Sequence, residues 1–274
     1  MYFLLRRNYS AREYSCEAKL IVLLVLRSRI FIPPGMFPAF YFALNIIVFM
    51  TRIKLNVHAV ILDMDGVITN TMPDHFRSWK VILNKIGIPV THYDVYCREG
   101  QRGIHSVREL TAQYGKPIDD RQAHRILKEK EVYFKRIARL RFIVGARTFL
   151  RQLHKNNFRL ALVTGTSHHE MCRILPASLR RLFSVIVTGS DVKHGKPHPE
   201  PYLQSLKKLC LKAGEAVVIE NAPFGIQSAK RAGLRCLALE TSLPRKYLKK
   251  ADAVFGSIKD LSNGVCFNNI NGKV

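Results

Sequence analysis

Five short, uninterrupted apolar runs divide the sequence after residue 57, and segments with helical periodicity lie between them. Runs of four to seven residues that are rich in branched side chains are typical of strands buried on both faces, as in a parallel sheet. Helices between such strands indicate an α/β fold with ligands bound at the carboxyl edge of the sheet. The predicted strands are His58–Leu62, Phe158–Thr164, Ser184–Thr188, Ala216–Ile219 and Leu234–Leu239; the predicted helices between them are Ala146–Lys155, His169–Leu182, Pro199–Lys212 and Phe224–Ala232.

One interval interrupts this alternation. From about Thr71 to Phe142 no run looks like a buried strand, and helical patterns cover His75–Ile86, Ser106–Tyr114 and Asp120–Arg141. We therefore expect a helical domain at 71–142, inserted into a core formed by 50–70 and 143–274. Residues 1–49 are expected to be a hydrophobic N-terminal extension.

The extension allows three interpretations. Ile30–Thr51 carries no charge over 22 residues, which is long enough to span a bilayer, although Pro33, Pro34 and Pro38 interrupt it. No small-residue cleavage site of a secretory signal follows the apolar run. An over-extended start upstream of Met50, a membrane anchor and a peripheral hydrophobic arm all stay open. We expect a cytoplasmic protein, or else one anchored in the membrane through residues 30–51 with its catalytic domain in the cytosol.

Composition excludes several classes. Apolar residues make up 47% of the chain, which excludes wholesale disorder. None of the six cysteines forms a CxxC pair, so neither a zinc site nor a redox pair is indicated, and scattered thiols suit a reducing compartment.

The chain is strongly basic. Its 44 Lys and Arg against 20 Asp and Glu give a net charge of +24, which nucleic acid, a membrane or an anionic substrate could explain. The charges are spread out, and the densest stretch, His124–Arg141, has apolar residues at helical spacing. We interpret that stretch as a solvated helix face and expect no nucleic-acid partner.

Residues able to perform phosphoryl chemistry follow the predicted strands. Asp63 and Asp65 end the first strand, where one carboxylate could attack phosphorus and the other could act as acid and base. Thr164-Gly165-Thr166 ends the second, where a hydroxyl and backbone N–H groups could hold phosphate. Taken alone, each motif is equally typical of an Asp-rich turn or a helix N-cap.

Two later motifs complete the pattern. Lys196, between Gly195 and Pro197, could neutralise the charges of phosphate and nucleophile together. The alternative is that it is an ordinary solvent-exposed lysine, as a single lysine in a loop usually is. Glu220-Asn221 follows the fourth strand, where their oxygens could complete a Mg²⁺ site with Asp63 and the Asp65 carbonyl.

The order of these motifs resembles that of the haloacid dehalogenase-like phosphohydrolase superfamily over about 55–262. DMDGVITN, VTGTS, GKPHPEPY and VVIENAPFGIQSAKRAG stand where its four motifs belong. The resemblance implies a Rossmann-like, doubly wound parallel core, an inserted helical cap of the C1 type, and Mg²⁺. It implies that Asp63 is the phosphorylated nucleophile, Asp65 the acid/base, and Thr164 and Lys196 the phosphate-binding residues, with Asp63, Asp65, Glu220 and Asn221 at the metal. Asn221 departs from the usual aspartate and removes one negative charge.

DGVITNT followed by HFRSWK is similar to the opening of the β-phosphoglucomutase and sugar-phosphatase branch. A mutase places a basic residue shortly after a cap glycine, and the residues after Gly103 do not clearly meet that pattern. We expect a monomeric phosphohydrolase of a small phosphorylated metabolite, most simply a sugar phosphate; the alternatives are a phosphosugar isomerase of the β-phosphoglucomutase type and a weakly catalytic binding protein. The expected substrate-binding residues are Gly165, Thr166, His75, Trp79, Arg98 and Arg102, for which core packing is the alternative at His75 and Trp79.

Overall fold

The computed structural model describes residues 52–270, which form eight strands and ten α-helices in that range. In chain order they are β1 Ile53–Val57, β2 Ala59–Leu62, α1 Met72–Asn84, α2 His92–Tyr96, α3 Gly103–Gln113, α4 Asp120–Ile137, α5 Ala146–Lys155, β3 Arg159–Val163, α6 His168–Ile174, α7 Ala177–Arg180, β4 Val185–Val187, α8 Glu200–Leu209, β5 Ala216–Glu220, α9 Pro223–Arg231, β6 Arg235–Leu239, β7 Ala253–Phe255, α10 Ile258–Gly264 and β8 Val265–Asn269.

A six-stranded parallel sheet forms the centre of the fold, in the order β4-β3-β2-β5-β6-β7. The four residues of β2 are completely buried between β3 and β5. The chain runs outward from β2 in one direction through β3 and β4, and in the other through β5 to β7. The strand order therefore reverses beside β2, which is where open α/β sheets bind ligands. The predicted α/β class with a Rossmann-like parallel sheet is confirmed.

The five predicted strands correspond to β2 through β6. Sequence reasoning missed β1, β7 and β8: β7 has three residues, and β1 alternates between exposed and buried positions. The single helix predicted over His169–Leu182 is wrong. It is divided into α6 and α7, because Leu175 adopts an extended backbone before Pro176, as a residue before proline usually does.

The segment predicted as the cap begins and ends at neighbouring points. Thr69 forms a bridge with Phe142, the Asn70 N–H donates to the Arg141 carbonyl, and the Ile143 N–H donates to that of Ile68. Between these points α1 packs against α2 and α4, and α3 packs against α4. The helices between these points are thus inserted into the core, and the inserted segment begins and ends beside the end of β2.

Two compact units can be distinguished. The described residues of the larger unit are 56–258 and 268–270, and they contain both the parallel sheet and the inserted helices. The described residues of the smaller unit are 52–55 and 259–267. Within the smaller unit the Arg52 guanidinium donates to the Asn263 carbonyl at 2.7 Å.

Residues 52–270 contain no helix long and apolar enough to cross a membrane. The extension expected at 1–49, and the anchor considered at 30–51, lie outside the described residues.

Candidate active site

The carboxyl ends of three adjacent strands bring the predicted catalytic residues together. Leu62 of β2 is level with Leu162 of β3 and Ile219 of β5, so Asp63 lies beside the last residues of both neighbours. The Asp63 N–H donates to the Ile219 carbonyl at 3.1 Å. Register alone therefore places Asp63, Thr164 and Glu220 at one edge.

Lys196 is buried at the centre of this edge. Its side chain is 1% exposed, and its ammonium donates to Asp63 Oδ1 at 2.5 Å, Glu220 Oε1 at 2.6 Å and the Val163 carbonyl at 3.1 Å. All three ammonium protons thus have acceptors. Burial alone would lower the pKa of Lys196, but the carboxylates of Asp63 and Glu220 outweigh burial and raise it. Lys196 is therefore a positively charged group held in direct contact with Asp63, the predicted nucleophile.

Asp63 itself is held in a strongly anionic surrounding. Burial raises its pKa well above the usual range, and the charges of Glu220 and Asp65 raise it further, whereas Lys196 lowers it. Its second oxygen, Oδ2, has no hydrogen-bond partner among residues 52–270. A buried carboxylate oxygen without a partner is costly unless a ligand completes it.

Asp65 is surrounded by donors instead. Hydroxyls of Thr69, Thr71 and Thr166 donate to its carboxylate, the last to Oδ2 at 3.1 Å. Burial alone would raise the pKa of Asp65, but the nearby His75 and the hydrogen bonds from Thr71 and Thr166 lower it. The two aspartates thus differ: hydrogen bonds stabilise the carboxylate form of Asp65, whereas burial and the neighbouring carboxylates disfavour that of Asp63.

A buried histidine and lysine of the inserted helices extend this network. His75 Nε2 lies 3.8 Å from Asp65 Oδ1, and its Nδ1 lies 2.9 Å from Lys130 Nζ. An ammonium can only donate, so Nδ1 accepts and the ring proton is on Nε2, facing Asp65. Burial lowers the pKa of His75, and the charge of Lys130 lowers it further. The Lys130 ammonium also lies 5.2 Å from the centre of the Trp79 ring.

The loop after β3 is packed tightly against the inserted segment. Thr164 Oγ1 accepts from the Thr166 N–H at 3.1 Å. A Cβ on Gly165 would lie 2.4 Å from the Gly100 carbonyl oxygen, and one on Gly100 would lie 2.4 Å from Lys196 Cδ. Only glycine permits such contacts. The turn around Gly100 therefore lies directly on the Lys196 side chain and separates it from solvent.

A cavity of about 320 Å³ opens between the loop after β3 and the inserted helices. Its lining combines polar and aromatic groups and includes all six residues expected to bind substrate: Gly165, Thr166, His75, Trp79, Arg98 and Arg102. Asp65 lines it too, whereas Asp63, Thr164 and Lys196 are buried behind it. The dimensions suit a small polar molecule.

The two arginines that line this cavity already have hydrogen-bond partners. The Arg98 guanidinium donates to the Asp94 carbonyl and to Gln113 Oε1, both at 2.8 Å, and its Nε lies 3.4 Å from Glu109. Arg102 donates to the Lys193 carbonyl at 2.8 Å. Their expected role in binding substrate remains a prediction.

Sequence reasoning missed three members of the site. Tyr202 donates to Glu220 Oε1 at 2.7 Å. Lys130 is 7% exposed, so the interpretation of its stretch as a solvated face fails at this position; the apolar residues flanking it at helical spacing were the available signal. Glu99 is 5% exposed, and burial raises its pKa well above the usual range, followed by the charges of Asp63, Asp65 and Glu220. Its place beside Gly100 was the only clue.

The oxygen donors at this edge fit Mg²⁺. Asp63 Oδ2 and Asn221 Oδ1 are buried and have no partner in the described range, and carboxylate and amide oxygens suit a hard cation. Residues 52–270 hold no group of three His, Cys, Asp or Glu side chains arranged for a metal, and a Mg²⁺ site here would also need amide and backbone oxygens. Glu220 Oε1 accepts from Lys196 and Tyr202, and Oε2 accepts from the Asn221 N–H at 3.0 Å. Its contacts here position Lys196, and its role as a ligand stays a prediction.

Comparison with known proteins agrees with this geometry. The sequence profile of haloacid dehalogenase-like hydrolases matches residues 60–239. This chain belongs to that family. The phosphorylated carbohydrates phosphatase of Thermotoga maritima is 32% identical to this hydrolase, covering 65% of its chain and 82% of the relative. The β-phosphoglucomutase of Bacillus subtilis is 28% identical, covering 74% and 91%.

A solved structure from Bacteroides vulgatus, described as that of a candidate β-phosphoglucomutase, superposes on the hydrolase with a TM-score of 0.66. The two are 32% identical, and the match covers 77% of this chain and 87% of the other. The expected family, its β-phosphoglucomutase-like branch and the enzyme class of a phosphatase are confirmed.

Proposed function

We propose that this hydrolase is a Mg²⁺-dependent phosphatase that removes phosphate from a small phosphorylated sugar through a phosphoaspartyl intermediate on Asp63. One observation carries the proposal: Asp63 ends the central strand with one oxygen fixed by Lys196 and the other without a partner. A carboxylate held in this way has one oxygen committed to electrostatic support and one free to attack.

The residues divide the reaction between them. Asp63 attacks phosphorus, while the Lys196 ammonium offsets negative charge on the nucleophile and the phosphoryl group. Asp65, at the cavity wall, delivers a proton to the leaving oxygen and later takes one from the hydrolytic water. The Thr164 hydroxyl and the backbone N–H groups of the following loop hold the phosphoryl oxygens. Asp63, the Asp65 carbonyl, Asn221 and Glu220 are the candidate Mg²⁺ ligands, and the bound cation would supply charge neutralisation during transfer.

The low pKa of Asp65 has a consequence for this cycle. A carboxyl that starts ionised must gain a proton before it can act as an acid. Its three threonine donors and His75 therefore favour the unprotonated carboxylate, which is the form that the base half-reaction requires.

The sugar-phosphate class is supported by the cavity and by the relatives' names. A cavity of about 320 Å³ lined by Trp79 and by polar groups matches a small polar ligand. A release assay over a panel of phosphorylated metabolites, with free phosphate measured in the presence of Mg²⁺, tests the class directly. No release from any member would contradict a phosphatase.

A second candidate, a phosphosugar mutase, is favoured by the two relatives whose names include β-phosphoglucomutase. A mutase must grip a second phosphate, yet the cations after Gly103 are engaged: Arg108 forms an ion pair with Asp120. The assay separates the two, because a mutase yields an isomerised sugar phosphate in place of free phosphate.

Replacing Asp63 tests the nucleophile. Asp63→Asn substitutes a non-nucleophilic amide of the same size, so we expect turnover to fall by roughly three orders of magnitude or more, with no phosphoenzyme. Turnover and acid-quenched incorporation of labelled phosphate are the measurements. Retention of a tenth of wild-type activity would falsify the assignment, and unchanged thermal unfolding would show that the loss is chemical.

A further inference from the structure

A second cavity, of about 210 Å³, lies between the two ends of the inserted segment and α6 of the core. Thr71, which precedes α1, lines it together with the residues that follow α4, so both connections of the inserted segment to the core reach its wall. It is separate from the substrate cavity, because Glu170 is the one lining residue that the two share. The proposed reaction gives this second cavity no role.

Apolar side chains form one part of its wall. They are Phe134, Ala138, Leu140 and Ile174. Phe134 is buried at the back of the cavity, whereas Leu140 is 50% exposed at its edge. Water gains few hydrogen bonds against a wall of this kind, so a concave apolar surface favours a ligand with an apolar body.

Positive charge surrounds this apolar surface. Lys135, Arg139 and Arg173 line the cavity, and their ammonium and guanidinium groups form no hydrogen bond or ion pair with any of residues 52–270. A single carboxylate, that of Glu170, lies among them. Three cations beside one anion attract a negatively charged ligand, and the planar guanidinium groups offer paired N–H donors that match a carboxylate.

We propose that this cavity is a second binding site, which takes a small organic anion with an apolar body of about the size of benzoate. The apolar body would pack against Phe134 and Ile174, and the anionic group would accept from Arg139 and Arg173. A sugar phosphate would leave the apolar wall uncovered, and an uncharged ring would leave the cations without a counter-charge. The proposal does not depend on the proposed function, since it uses neither Asp63 nor Mg²⁺.

The position of the cavity gives such a ligand a structural effect. It would contact both ends of the inserted segment and α6 of the core at the same time, and would therefore hold them together. Thr71, at the cavity wall, also donates its hydroxyl to Asp65. The second cavity thus lies one residue away from the predicted acid/base.

Binding of 4-fluorobenzoate to the full chain, followed by ¹⁹F NMR without substrate, tests the site. A molecule this small should bind with a dissociation constant of about 1 mM. Arg173→Gln and Arg139→Gln each remove one cation of the cavity and should each weaken binding by about fivefold. Arg121→Gln is the matched control, because Arg121 is an exposed arginine of α4 that lines neither cavity. It should bind the probe as the wild type does.

Two further arms separate this site from other ways of binding the probe. Acetate carries the same charge without the ring, so at equal concentration it should not displace 4-fluorobenzoate; displacement would show attraction by charge alone and would overturn the proposal. Arg102→Gln changes a cation of the substrate cavity and should leave the affinity unchanged. Weaker binding in Arg102→Gln together with wild-type affinity in Arg173→Gln would place the probe in the substrate cavity. No binding by the wild type would also overturn the proposal.

Hydrogen exchange provides a second readout. The Asn70 N–H donates to the Arg141 carbonyl and the Ile143 N–H to that of Ile68, so these two amides join the ends of the inserted segment. A ligand that holds these ends against α6 should slow exchange at both amides in the wild type, and less so in Arg173→Gln at the same concentration. Unchanged exchange at both amides in a wild-type protein saturated with 4-fluorobenzoate would contradict this location of the site.

Discussion

At the scale of single residues, a buried lysine controls the state of a buried histidine. Lys130 Nζ lies 2.9 Å from His75 Nδ1 and has the rings of Trp79 and Phe134 beneath it. Burial of the His75 ring lowers its pKa, the charge of Lys130 lowers it further, and Asp65 acts in the opposite direction. The neutral ring presents an N–H to Asp65, which favours the carboxylate form of that residue. Lys130 thus influences the protonation of Asp65, the predicted acid/base, through His75.

Lys130→Met tests whether the charge of Lys130 lowers the pKa of His75. Methionine keeps the apolar stem and removes the charge that lowers the pKa of His75. Because one of the two causes that lower the pKa of His75 is removed, that pKa should rise. An NMR titration of ¹³C-labelled histidine measures the shift, and Lys128→Met, on the exposed face of the same helix, is the control. A His75 pKa that stays put or falls in Lys130→Met would show that burial alone sets it.

At the scale of elements, glycines decide whether the inserted segment can meet the core. Gly165 lies beneath the carbonyls of Gly100 and Gln101, and a Cβ there would approach them to 2.4 and 2.9 Å. The obstacle is backbone, which cannot rotate away as a side chain could. The φ of Gly165 is not positive, so alanine strains only the contact and leaves the loop itself acceptable.

Gly165→Ala should therefore disturb docking without unfolding the core. We expect kcat/KM for phosphate release to fall by about a hundred-fold, the usual effect of an ångström-scale misplacement, while thermal unfolding changes little. Gly214→Ala is the matched control, since a Cβ at Gly214 would meet nothing within 4 Å. Steady-state kinetics of both variants provide the comparison. Equal kinetics in the two would mean that catalysis does not need the contact at Gly165.

At the scale of the whole molecule, every residue of the candidate site lies between Asp63 and Ser242. The described helices and strands begin at Ile53, and the hydrophobic extension expected at 1–49 holds none of the four motifs. A chain that begins at Met50 retains all of these residues. Because their positions determine turnover, it should keep its phosphatase activity within about twofold of the full chain. Specific activity per folded protein is the measurement, and loss of activity in a folded shortened chain would contradict the prediction.

The sequence by itself determined the sheet and the residues at its edge. Each of β2, β3 and β5 is a short apolar run, and Asp63, Thr164 and Glu220 come at or directly after the run's end. Parallel register brings such positions together whatever the loops do. For that reason a local pattern was enough to predict the α/β class and the proximity of the four motifs.

Only the tertiary structure decided which groups surround those residues. Glu99 meets Asn221 across 122 positions of sequence, and Lys130 meets His75 across 55. Neither contact is implied by a motif, because both depend on how the helices of the inserted segment pack and where they rest on the core. Helical spacing shows that a lysine lies on a helix, but not that the helix turns it inward. The packing of a distant turn is therefore what brings Glu99 beside Asn221, at the motif position that lacks a carboxylate.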